Sequence, residues 1–175
     1  MHYRWTWIVF ILFIVLACQP SGYQLLLDKT FDAQLKSRLE DFGRDGVEED
    51  WPSDFDKNQL VETALKYKGT IYRSGGTTRK GMDCSGLLYR AAKDIGLSIP
   101  HRSSDIARYG QVVPTLGRLR RGDLVFFTGD GHQLITHSGI MISHDQFIHV
   151  SSSKGCVITD ITKAYWVNHF LFGTR

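Results

Sequence analysis

The chain is expected to fold as an α+β domain, an antiparallel β-sheet packed against helices that precede it in the sequence. Three observations predict this. Apolar residues at helical spacing are confined to the part before Gly96, short β-rich segments crowd the part after Arg121, and no alternation of strand and helix suggests a parallel sheet. The 175 residues, 42% hydrophobic and 22% charged, suffice for one core with short attachments and lie far from the compositions that stay unfolded.

The first segment is unlike the rest. Arg4 is the only charged side chain before Asp28, and Ile8 to Ala17 is an unbroken apolar run. The apolar stretch from Trp5 to Cys18 is shorter than the roughly 20 residues that cross a bilayer as a helix, so residues 1–17 read as a signal peptide. The run closes with Val15-Leu16-Ala17-Cys18, which resembles the lipobox of bacterial lipoproteins and implies a lipidated Cys18 that holds the chain to a membrane. A secretory signal cut near Ala17 and a short uncleaved anchor are the alternatives. With Gln19 after the cysteine, the resemblance implies the outer membrane if the cell has two membranes.

Residues 18–56 read as an acidic tether, with four Lys/Arg against ten Asp/Glu, whereas residues 57–175 hold sixteen against eight. Leu35 and Leu39 share a helical face, so Thr30 to Phe42 has the spacing of a short helix, but Gly43 and Gly46 stop it and a solvated linker is expected. The basic domain suits anionic headgroups or a carboxylate-bearing polymer. Nucleic acid is not expected as a partner of an exported chain.

The domain itself begins near Asn58, expected to cap a helix whose Leu60, Val61, Ala64 and Leu65 share a face, with Gly69 beyond its end. A second helix is expected from Cys84 to Ile95, with Leu87, Leu88, Ala91 and Ala92 on one face and Gly96 as terminator. Five strands are expected to follow: Leu124 to Phe127, His137 to Ile142, Phe147 to Val150, Val157 to Ile161 and Phe170 to Phe172.

Chemistry concentrates in Gly81-Met82-Asp83-Cys84-Ser85-Gly86, which places a cysteine where a turn feeds a helix. Free N–H groups and the positive end of the helix dipole there stabilise a thiolate. A thiolate in turn needs a group that takes its proton and later protonates a leaving amine, which suits imidazole. His137 opens one expected strand, and His149 lies on the next, placed to orient it. Each of these residues has a plain structural reading as well: a packed cysteine and two satisfied histidines. A disulfide between Cys84 and Cys156 is a further alternative. A zinc site is disfavoured because no local ligand pair exists, and Gly75-Gly76 lacks the Lys-Ser/Thr of a phosphate loop.

Five motifs occur in order between Leu60 and Phe172: Tyr72-Arg73-Ser74-Gly75-Gly76, Asp83-Cys84-Ser85-Gly86, Arg121-Gly122-Asp123-Leu124-Val125-Phe126-Phe127, His137-Ser138-Gly139-Ile140 and Phe147-Ile148-His149-Val150-Ser151. Together they resemble the NlpC/P-sixty family of cell-wall cysteine endopeptidases. That resemblance implies a papain-like fold with the nucleophile at a helix start, Cys84 as nucleophile, His137 as base and His149 as the polar third member. It also implies Tyr72 at the substrate groove near the oxyanion, and Asp83 and Ser85 supporting the loop and meeting substrate. The implied reaction is hydrolysis of a peptidoglycan stem-peptide amide, between γ-D-glutamate and a diamino acid, with no metal or organic cofactor. The sequence departs from the family at Ser138, where a β-branched residue is common. It departs again at Ile99-Pro100-His101-Arg102-Ser103, where the arginine stands one position late, so that Arg102 or His101 would meet the peptide. Two other functions stay open: a silent peptidoglycan-binding lipoprotein, and a thiol amidase or acyltransferase of the same fold. A monomer is expected.

Overall fold

The structure, a computed structural model, describes residues 20–47, 49–52, 55–129 and 133–175. The expected signal peptide and Cys18 lie outside them.

The chain enters through two helices, α1 (Gly22–Lys29), capped by the Ser21 hydroxyl, and α2 (Ala33–Arg44), capped by Asp32. This corrects the expectation of a solvated linker. Leu26 and Leu39 are buried in the main core, and the Tyr23 hydroxyl donates to the Leu39 carbonyl. Arg108 holds the end of α2 by donating to the carbonyls of Phe42 and Gly46 while its guanidinium lies 4.4 Å over the Phe42 ring. The Leu35/Leu39 face thus has a docking partner, supplied by residues far along the chain.

Helix α3 (Lys57–Leu65) starts one residue before the expected cap. Asp56, not Asn58, caps it, its carboxylate accepting from Asn58 N and Gln59 N at 2.8 and 3.2 Å. A small hairpin, β1 (Thr77–Thr78) and β2 (Gly81–Met82), leads into α4 (Cys84–Asp94), which ends at Ile95 and Gly96 as its apolar spacing predicts. A single helical turn, α5 (Ser103–Ile106), precedes the short β3 (Val112–Val113), and a 3-10 turn at Leu116–Arg118 follows. Neither α5 nor β3 was expected.

The main sheet comprises β3, β4 (Leu124–Phe127), β5 (His137–Met141), β6 (Gln146–Ser151), β7 (Gly155–Asp160) and β8 (Phe170–Thr174). Its order is β3-β8-β4-β5-β6-β7, antiparallel throughout. The five expected strands are present within two residues at each end. From β4 to β7 neighbours in sequence are neighbours in space, and β8 returns to the edge of β4 through an unexpected helix, α6 (Ala164–His169).

The preceding helices pack on one face of the sheet as expected, and the second face is covered as well. Leu124, Phe126, Ile140, Ile148 and Val150 face α2, α3 and α4, while Val125, Phe127, Met141 and Phe147 form a second core with Leu119 and Trp166 of α6. The run Leu124-Val125-Phe126-Phe127 is apolar at every position, and a strand without alternation needs cover on both faces.

Candidate active site

Asp83 organises the start of α4. Its carboxylate accepts from Gly86 N at 2.8 Å, from the Ser85 hydroxyl at 3.2 Å and from Gly75 N at 2.7 Å, joining the cap of the helix to the loop before β1. The loop and helix approach so closely that a Cβ on Gly86 would stand 2.0 Å from the Gly76 carbonyl oxygen, so this position needs glycine. Gly75 has a φ of 68°, in the left-handed region, and its N–H is the one that reaches Asp83. The glycines and the aspartate of two separate motifs therefore form one device, and it sets Cys84 as the first residue of α4. At that place the Cys84 and Ser85 N–H groups have no intrahelical acceptor, whereas Gly86 N–H is taken by the Asp83 side chain and Leu87 N–H by the Asp83 carbonyl.

Cys84 is half-buried and lines a cavity of about 440 Å³ with Ser85, Arg102, Ser103, Ser104 and the segment 133–136. Phe42 of α2 closes part of the same cavity. Arg102 is exposed at its rim and pairs with Asp105 at 2.8 Å. His101 lies edge-on to the Tyr89 ring, 5.2 Å between centroids, and does not line this cavity. Tyr72 is 41% exposed; a backbone bridge to Met82 places it beside the strand that feeds Cys84, although its ring lines neither this cavity nor the one described next.

The second cavity, about 370 Å³, is lined by His137, His149, Thr128, Ser151, Tyr165 and Trp166 among others, and Thr136 lines both. His137 opens β5 opposite Phe127, and His149 pairs with Gly139 across β5 and β6. The two imidazoles share a hydrogen bond, His137 Nε2 to His149 Nδ1 at 2.9 Å, and His149 Nε2 meets Thr159 Oγ1 at 2.9 Å. Gly139 is required here. A Cβ on it would lie 2.6 Å from the Phe147 ring and 3.2 Å from His149 Cβ. Phe147 stacks on His149 at 4.6 Å and 16°, and Trp166 lies 4.9 Å from His149 and 5.4 Å from His137.

These rings leave water, and their charged forms suffer for it. Burial pushes His137 from 6.5 down to about 4; burial first, then the neighbouring His137, pushes His149 down to about 3. Both are neutral at pH 7. With Nε2 bonded to His149, the free nitrogen of His137 is Nδ1, and no other hydrogen bond reaches that ring among the described residues. Ser138, the departure from the family pattern, is fully buried and shares a hydrogen bond with Ser103 at 3.1 Å, which links the strand carrying His137 to the wall of the Cys84 cavity.

Cys156 is a free buried thiol, pushed up to about 12 by burial, and Cys84 is also free. The sequence reading missed Thr159, Phe42 and the role of Trp166 as cover for the histidines. Only Thr159 had a local signal, alternating with Val157 on one face of an expected strand, and using it required the strand register.

A family model described as NlpC/P60 matches residues 69–175. The murein DD-endopeptidase MepS/murein LD-carboxypeptidase of Escherichia coli K12 is 35% identical over 115 residues, which cover 65% of this chain and 60% of that protein. The probable endopeptidase NlpC of the same organism is 40% identical over 113 residues, 63% of this chain and 72% of the relative. Among solved structures, an NlpC/P60 family protein from Bacillus cereus superposes with a TM-score of 0.62 at 27% identity, covering 71% of this chain and 40% of that one.

Proposed function

The chain belongs to the NlpC/P60 family, and from that premise we propose that it is a peptidoglycan endopeptidase that cleaves a stem-peptide amide with Cys84, His137 and His149. The observation that carries this reading is the hydrogen bond between the two histidines. It occupies His137 Nε2 and leaves Nδ1 as the nitrogen that can serve a thiol, and the cavity of the histidines shares Thr136 with the cavity lined by Cys84 at its helix start. His137 Nδ1 takes the proton of Cys84, and the thiolate attacks the amide carbonyl. The oxyanion is held by the N–H groups of Cys84 and Ser85. The imidazolium then gives its proton to the departing amine as the C–N bond breaks. Water, deprotonated by His137, hydrolyses the thioester and frees the thiol. Because His137 is neutral at pH 7, it stands ready as a base, and its cation exists only while a thiolate or the tetrahedral intermediate balances it. His149, neutral as well, accepts a hydrogen bond at Nδ1 from the His137 Nε2–H and keeps the ring aimed.

The proposed bond is γ-D-glutamyl to diamino acid, and the basic domain suits the carboxylates of such stems. The name of the E. coli relative, murein DD-endopeptidase, favours as a second reading a bond between two D-centres in a cross-link. We place the protein at the cell envelope, tethered by lipid on Cys18 and facing the wall.

Digestion of purified wall peptides, with Cys84→Ala alongside and products read by mass spectrometry, tests both readings. A new amine on the diamino acid next to glutamate supports the first bond, loss of cross-linked dimers supports the second, and binding without any cleavage by the wild type sinks the enzyme.

A further inference from the structure

The two-histidine chain does not end at His149. The side chain that follows it belongs to β7, outside all five motifs. We propose that Thr159 is a positioning residue that holds His149, and through it His137, in the tautomer the reaction needs; this rests on the Cys84/His137/His149 reading above.

A neutral imidazole donates from one nitrogen and accepts at the other. For Nδ1 of His137 to receive a thiol proton, that ring must carry its hydrogen on Nε2, which donates to His149 Nδ1 at 2.9 Å. His149 must then accept at Nδ1 and carry its own hydrogen on Nε2. That N–H points at Thr159 Oγ1, 2.9 Å away, the partner it has among the described residues. His149 is 3% exposed, with Phe147 stacked on one side and Trp166 against it. A buried N–H in such a setting needs an acceptor. Thr159 is half-buried, so its hydroxyl can accept from His149 and turn its own hydrogen outward.

Without that acceptor the hydrogen of His149 is better placed on Nδ1, where it donates to His137 Nε2. His137 must then carry its hydrogen on Nδ1, the nitrogen assigned to the thiol, and cannot act as base. Once His137 is protonated at both nitrogens, only a His149 that accepts at Nδ1 can stay bonded to it. The Thr159 hydroxyl therefore supports the resting tautomer and the charged intermediate alike. The geometry follows from register: His149 pairs with Val157, and Thr159, two residues on, projects from the same face, diagonal to His149.

The experiment combines kinetics with long-range proton–nitrogen NMR of the histidine rings, on the wild type, Thr159→Val and Thr159→Ser. In the wild type both rings should carry hydrogen on Nε2. Thr159→Val, of the same shape without the hydroxyl, should lower kcat by about tenfold to a hundredfold with KM within about twofold, and move hydrogen to Nδ1 of His149. Thr159→Ser should restore both. A wild-type His149 protonated on Nδ1 overturns the proposal, as does Thr159→Val with unchanged kcat, or with reduced kcat and unchanged tautomers. The reading beneath it fails differently, by a wild type that does not cleave or a Cys84→Ala variant that still does. The ring spectra stand in either case.

Discussion

The buried histidine pair should make this protein lose stability on mild acidification, at a pH where carboxylates are still ionised. His137 and His149 titrate near 4 and 3 in the folded chain and near 6.5 when unfolded. Folded values that are depressed give a contribution present in full above the unfolded value and lost as pH falls below 6.5. At pH 5 the unfolded chain protonates each ring almost completely while the folded chain protonates neither. The difference is about 2 kcal/mol per ring, so about 4 kcal/mol for the pair as an upper figure. His137 sits nearer the surface than His149, which is 3% exposed, and contributes the smaller share. Against a typical stability of about 5 to 15 kcal/mol this is a large loss. Urea unfolding followed by tryptophan fluorescence at pH 7.5, 6.5 and 5 measures it, with His149→Asn as the comparison. Groups other than the removed ring titrate in both proteins and cancel. The variant should be the less stable at pH 7.5, and its deficit should shrink by about 2 kcal/mol at pH 5 because it has one ring fewer to protonate. A deficit that stays constant from pH 7.5 to 5 would refute the burial of His149 as the cause of its depressed value.

Two further outcomes test other parts of the fold. Leu39→Ala should cost about 2 to 5 kcal/mol and lower the calorimetric Tm, since Leu39 is fully buried; an unchanged Tm would mean that α2 does not dock on the domain. At pH 7.5 an alkylating reagent should modify Cys84 and leave Cys156 untouched until urea is added, because Cys156 is fully buried and its thiol is pushed up to about 12; peptide mapping showing Cys156 labelled in the native protein would contradict its place in the core.

What the sequence determined by itself is what depends on near neighbours. The β-rich runs marked β4 to β8, and the apolar spacing of α4 with Gly96 beyond it marked that helix. Cys84 could be placed at a helix start because the signals are local, the turn at Gly81 before it and Leu87, Leu88, Ala91 and Ala92 at helical spacing after it. The pairing of the histidines was legible only as an expectation, since both lay on adjacent expected strands. Tertiary structure decided the rest, and each of these features depends on a partner far along the chain. Residues 22–44 are helices in place rather than a solvated linker because Arg108 and the core receive Phe42 and Leu39. The sheet is covered on its second face because α6 lays Trp166 across Phe127 and Phe147. Thr159 meets His149 only through the register of β6 against β7, in which a slip of one residue would turn it to the other face. Caps and periodicity are set within four residues, whereas docking and register are settled by which distant surfaces bury one another best.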